Sequence, residues 1–346
     1  MLAVSIENDS IRVGDRFAVS FQRTLCIPDD GRLYPLPPGL GRLPILSVDG
    51  FLGDMPPLWR AIGGVFIPMY QREALWISFS AASWKPNAVT VSAGGVNAVS
   101  GELDDRQLHP QPQNYLVCPN QPWLDGINSG LGSIRQFIAM PLGTGYTVES
   151  IKGEETFGGI QITVFEPKPG RFPDHPPVPT RDPKPLSRLQ TSELAMGLGA
   201  GGSIRQKIYR DPYGVEAWEP QPQARICVHI VNSLQFEHIT GSKPPPTPID
   251  AKSYDESGLP WFDLYDETVD AVAPPSTLAT ARTVAERDAE LGKTCSEESF
   301  EVPDSRILKL HGEGGAQPSP VSPRASARKS EKMKGEDNGQ KVEGLS

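Results

Sequence analysis

Over the first 168 residues, apolar and polar side chains alternate in short runs broken by glycine and proline. From Ile11 to Leu25, "IRVGDRFAVSFQRTL" sets Phe17, Val19, Phe21 and Leu25 on one face and Arg16, Ser20 and Gln22 on the other. A period of two, rich in β-branched and aromatic residues, predicts a strand with one solvated face. "GVFIPMY", "ALWISFS", "YLVC", "SIRQFIAMPL", "GYTVES" and "GGIQITVFEP" predict further strands, the last with Ile160, Ile162 and Val164 aligned. "AVTVSAGGVNAVSG" predicts a hairpin, because Val89, Val91 and Ala93 alternate up to a Gly94-Gly95 turn. "DMPPLWRAIGG" predicts a short helix with Asp54 as N-cap and Gly63 as its stop. Helices able to cover a parallel sheet are missing from this stretch. The expected fold is therefore mainly β: an antiparallel β-sandwich or barrel-like domain over residues 1–168, with a few short helices.

Texture divides the rest of the chain. Residues 169–193 are rich in proline and read as a linker or an excursion. Residues 194–268 form a second β-containing region. Its strand "RICVHIV" points Ile226, Val228 and Ile230 one way and Cys227 and His229 the other, and a short helix is expected in "NSLQFEHITG". This region is too thin for an independent core, so it is expected to pack on the first. A helix is expected over residues 276–292, capped by Ser276 and stopped by Gly292. Residues 312–346 have little to bury and are expected to be disordered. Within them, Ser319, Ser322 and Ser326 match proline-directed and basic-directed phosphorylation patterns.

Composition narrows the function. The chain carries 36 prolines and 34 glycines, a content that suits turns rather than helices. Its net charge of −9 argues against nucleic acid and against anionic membrane as partners. No apolar run reaches transmembrane length, and "MLAVSIENDSIRVGD" lacks the features of a signal peptide. The cysteines, Cys26, Cys118, Cys227 and Cys295, are sparse and never spaced as CxxC. A reducing, cytoplasmic setting follows, with no metal site and no cofactor expected.

One pentapeptide occurs twice, "GSIRQ" at Gly132–Gln136 and again at Gly202–Gln206. It reads first as a recurring turn and strand start, with Ile facing the core; the two segments would then pair or lie side by side. Read functionally, Arg135 and Arg205 are matched ligand- or partner-binding residues. Cys118, His109 and Asp125 are the residue types of a thiol nucleophile, its base and an orienting acid. Equally, Cys118 reads as a buried thiol and His109 as a solvated loop residue. Trp123 would bind a ligand with Asp125 beneath it, or simply anchor an Asp-Gly turn. Asp263, Asp266 and Glu267 would suit a hard cation, although no EF-hand spacing is present and Trp261, Phe262 and Tyr265 read better as an anchor. His229 and His238 lack a metal-ligand pattern. The glycines of "GLGSIR" and "GLGAGGSIR" lack a Walker lysine, and Gly143 and Gly145 read as a hairpin turn.

The segments "PWLDGI", "RQFIAMPLG", "GYTVE" and "GGIQITV" resemble blocks shared by a family of intracellular bacterial and fungal proteins for which no activity is known. The resemblance runs from "SIENDSIRVGDRF" through "LPWFDLYDE". It implies no catalytic residues. The expectation is a non-catalytic β-rich protein that binds a protein partner or assembles with itself. The alternative is a small-molecule enzyme with a site around residues 109–146.

Overall fold

The computed structural model describes residues 1–153, 155–175, 195–263, 269–293 and 297–309. The chain first forms β1 (Val4–Glu7), β2 (Ser10–Val13), β3 (Phe17–Thr24), β4 (Leu33–Tyr34), β5 (Gly39–Arg42), β6 (Leu46–Ser47), α1 (Pro57–Ile62), β7 (Val65–Met69) and β8 (Ala74–Ala81). Then come β9 (Asn87–Ala93), β10 (Val96–Asn97), β11 (Leu116–Cys118), β12 (Trp123–Leu124), β13 (Gly126–Gly130), β14 (Ser133–Pro141) and β15 (Ile160–Phe165). β16 (Ala195–Arg205), β17 (Ala224–Asn232), α2 (Ser233–Thr240), α3 (Ala251–Glu256), β18 (Trp261–Asp263), α4 (Ser276–Ala279), α5 (Val284–Glu290) and β19 (Ile307–Lys309) follow.

The fold is mainly β and mostly antiparallel. Seventeen strands join one sheet, in which the described parallel pairs are β4 with β16 and β7 with β17. Within the sheet the hydrogen-bond ladder closes on itself. It passes from β8 to β14, β16, β17, β15 and β9, then to β11. The same extended segment continues into β12, which pairs back onto β8. The largest apolar cluster draws on every member of that ring, using alternate residues: Leu75, Ile77 and Phe79 from β8; Val89 and Val91 from β9; Ile160, Ile162 and Val164 from β15; Ile226, Val228 and Ile230 from β17. Period two works here because strand side chains point to opposite faces in turn. β3 lies outside the ring, paired along the length of β8, and carries the β1–β2 hairpin beyond it.

The two GSIRQ copies pair with each other. Ser133 faces Arg205, Ile134 faces Ile204 and Arg135 faces Ser203 in the antiparallel β14–β16 ladder. The arrangement is a local two-fold about the isoleucine pair. Both isoleucines are fully buried, and the glutamines that follow are buried as well. Gln136 accepts from Ile27 N (3.1 Å) and donates to Leu25 O (2.8 Å). Gln206 accepts from Asp125 N (3.0 Å) and donates to Asp125 Oδ2 (2.5 Å). Each copy thus starts a strand and fastens a different loop to it, since a buried amide must fill both its donor and its acceptor capacity.

Several local features differ from what the pattern predicts. Ser20 and Gln22 of β3 are buried, because their face also carries Trp76 and Trp123, packed edge to face at 6.2 Å. "GYTVES" is a turn leading into a 3-10 helix at Val148–Lys152, held by the Glu149 and Glu155 carboxylates, which accept backbone N–H groups on either side. The interval 276–292 is two short helices, α4 and α5, because Thr283 makes a capping box with Glu286 and restarts the helix. Its first turn is flanked by Pro275, with no side-chain cap from Ser276. The N-cap of α1 is Pro56, not Asp54, while Gly63 does end it at φ +69°. The linker expected at 169–193, from residue 176 onward, lies outside the described residues. So do the tail at 312–346 with Ser319, Ser322 and Ser326, and also Asp266, Glu267, Tyr265 and Cys295.

Candidate functional site

The structure gives the predicted site residues of the 109–146 region separate partners. Cys118 is wholly buried; its thiol is pushed up by burial and donates to Gln121 O (3.4 Å). A reactive thiolate needs the opposite environment, electropositive and partly open. His109 is exposed and meets Asp105 at 2.7 Å. Asp125 is buried, and burial raises its pKa to about 7 against the bonds from Gln206 and Trp123. Trp123 is buried and anchors the loop. Gly126 opens β13 opposite Gln136 and is obligatory there, because a Cβ would collide with the Arg135 carbonyl. Arg135 and Arg205 leave the same face of the β14–β16 ladder and hold later parts of the chain: Arg135 donates to Ala281 O, and Arg205 to Asp263 Oδ2 (3.2 Å). Asp263 is thereby engaged, and Trp261 and Phe262 are buried.

Polar groups converge instead on the outer face of β9, β15 and β17. Period two turns Ile226, Val228 and Ile230 into the core, so Arg225, Cys227 and His229 point outward. Register builds two rungs there, Ser92–Gln161–Cys227 and Thr90–Thr163–Arg225. The hydroxyls of Thr90, Ser92 and Thr163 are buried and, among the described residues, have no hydrogen-bond partner. A cavity of about 440 Å³ opens beside this floor, lined by Gln161, Arg225, Cys227 and His229 from the sheet. Asp104 and Arg106 line it from the following loop, Ile62 from α1, and Glu149, Lys152 and Phe157 from the turn before β15.

Each wall is positioned by ordinary bonds. Asp104 N donates to Gly95 O (2.9 Å), and Asp104 Oδ1 accepts from Arg106 N (3.1 Å). Its other oxygen, Oδ2, sits 3.6 Å from an Arg225 nitrogen, accepts no hydrogen bond among the described residues, and belongs to a side chain 6 % exposed. Gln161 accepts from Gly95 N (2.7 Å) and donates to Gly158 O (2.9 Å), tying the hairpin turn to the rim. The Glu149 carboxylate accepts from the N–H groups of Thr156, Phe157 and Gly158 and so fixes the Phe157 loop. His229 stacks on Trp59 at 4.4 Å and bonds Gly63 O (2.9 Å) through Nε2. Burial lowers its pKa, opposed by the Gly63 bond. Burial raises the Cys227 pKa, opposed by Arg225 and Arg106.

The sequence showed Cys227 and His229 sharing the outward face of a strand. The same alternation extends to Arg225, two residues earlier. Asp104 and Arg106 lie in an irregular loop with no periodic signal. Two resembled blocks feed this wall, "GYTVE" through Glu149 and "GGIQITV" through Gln161. Among the described residues, no three His, Cys, Asp or Glu side chains gather as a metal site, and no helix is long and apolar enough to cross a membrane. Compared with protein-family models, with curated proteins and with solved structures, the chain matches none.

Proposed function

We propose that this protein is a non-catalytic binder of the cytoplasm and that it takes a small molecule in the cavity over the β9–β15–β17 face. The observation that carries the reading is an open cavity into which Asp104, Arg106, Gln161, Arg225 and Cys227 converge beside the apolar side chains of Ile62, Leu103 and Phe157. A concave site of this size with a few polar groups set among apolar ones is the kind of surface that holds a small ligand. The cytoplasmic assignment draws support from Cys26, Cys118 and Cys227, all free thiols. A catalytic role around residues 109–146 has less behind it, because Cys118, His109 and Asp125 each serve a different partner.

Alkylation followed by mass spectrometry tests this. Cys227 should react on the order of a hundredfold faster than Cys118 in the folded protein. Small molecules that fill the cavity should slow the reaction at Cys227 alone. Failure of Cys227 to label, or of every compound in a chemically diverse set to protect it, would remove the proposal.

Self-assembly is a second reading with one observation in its favour. β1 is exposed throughout and includes Val4 and Ile6, and among the described residues it pairs on one side only, with β2. A monomeric mass at high concentration would exclude it.

A further inference from the structure

We infer that the cavity is built for an α-amino acid with an apolar side chain: carboxylate on Arg106 and Arg225, ammonium on Asp104, side chain against Ile62, Leu103 and Phe157. This rests on the binding reading above and names its ligand class.

The charges of the wall decide the class. Lys152 is paired with Glu102 at 3.1 Å, and the Glu149 carboxylate is occupied by three backbone N–H groups. Arg106 remains, and Arg225 is held only by a long ion pair with Asp104. Among the described residues no carboxylate pairs with the Arg106 guanidinium, and the contact of Arg225 with Asp104, at 3.6 Å, is too long for a hydrogen bond. Two cationic forks in a chain of net charge −9 favour a carboxylate, which a guanidinium binds through paired N–H donors. The Asp104 carboxylate lines the same cavity, and its Oδ2 is buried and, among the described residues, accepts no hydrogen bond. A plain carboxylic acid leaves that oxygen unsatisfied, and a phosphate ester is repelled by it. An amine without a carboxylate leaves both guanidinium groups unused. An ammonium one carbon from a carboxylate serves all three.

The rim supplies the rest of the ligand's environment. Ile62 is 39 %, Phe157 53 % and Leu103 64 % exposed, and all three line the cavity. Three large apolar side chains at such exposure on one rim mark a surface that something apolar covers. A volume of about 440 Å³ lies in the range of small-molecule sites and accommodates one amino acid with its first hydration shell.

Isothermal titration of the wild-type protein with L-phenylalanine, 3-phenylpropanoate and 2-phenylethylamine separates the contributions without any variant. Phenylalanine should bind, and each analogue should bind about tenfold or more weakly, one lacking the ammonium and the other the carboxylate. Asp104→Asn should weaken phenylalanine while strengthening 3-phenylpropanoate, from which it removes a repelling charge. Arg225→Gln should weaken both acids while strengthening 2-phenylethylamine, because Asp104 loses its competing cation. Equal affinities for phenylalanine and 3-phenylpropanoate would overturn the role of Asp104 and with it the inference. So would the absence of heat and of Cys227 protection by phenylalanine and leucine at about 10 mM. If other compounds still protect Cys227, the binding role stands and only the ligand class falls; if Cys227 is never reached, both fall.

Discussion

Around Asp125, the buried amides use both ends of their side chains. Gln206 and Gln136 do so at the two-fold pair, and Gln121 and Gln113 bridge the backbones of β11–β12 and residues 207–211 in the same manner. Beneath the loop that carries Asp104, the sheet presents residues of similar polarity, but Thr90, Ser92, Thr163 and Asp104 each keep an oxygen without a partner. Burial and polarity are common to both regions. The second also adjoins the cavity, through Asp104, Gln161, Arg225 and Cys227. Residue type alone does not separate the two regions: Cys118, His109 and Asp125 each bond a different partner in the fold.

Substitutions can break this contrast. Gln206→Leu should cost the most, about 3 kcal/mol in urea unfolding, because Asp125 N and the Asp125 carboxyl both lose their partner in a dry interior. Asp125→Asn should change the pH dependence of stability. The folded pKa of Asp125 is raised to about 7, above its unfolded value, so the native state holds the proton where the unfolded chain has lost it. Stability from this group is therefore full in acid and declines as pH rises from about 4 to about 7, by a few kcal/mol at most. The asparagine variant should lack that decline and exceed the wild type in urea midpoint at pH 8. His229→Phe should keep the stack on Trp59 and lose the Gly63 bond, at about 1 kcal/mol. Since burial holds the His229 pKa down, it should also remove a loss of stability that sets in as pH falls below about 6.5. Arg225→Met should cost least, under about 1 kcal/mol, because its partial exposure screens the Asp104 pair. If Arg225→Met proves as costly as Gln206→Leu, the two regions do not differ in the way described.

Much of the sheet was legible in the residues. Alternation at Val89–Ala93, Ile160–Val164 and Ile226–Ile230 named the core faces directly, and Gly94-Gly95 named its hairpin, with φ of +55° and +78°. The repeated pentapeptide announced a shared role, although only the register showed the copies facing each other. Other features depend on contacts distant in sequence. Gln22 was read as solvated because nothing near it reveals Trp76 and Trp123. The strand expected at "GYTVES" was lost to the Glu149 carboxylate, whose partners lie seven to nine residues onward. Asp104 and Arg106 reach the cavity from a loop whose path no periodicity dictates.

The closed ladder has a kinetic corollary. A strand of the ring is bonded on two sides, so its amide protons are released to solvent only when the molecule opens as a whole, whereas β1, bonded on one side, frays locally. Native-state hydrogen exchange should therefore sort the chain into two populations. The slow one, in β14, β15 and β17, would report the total unfolding free energy without any denaturant.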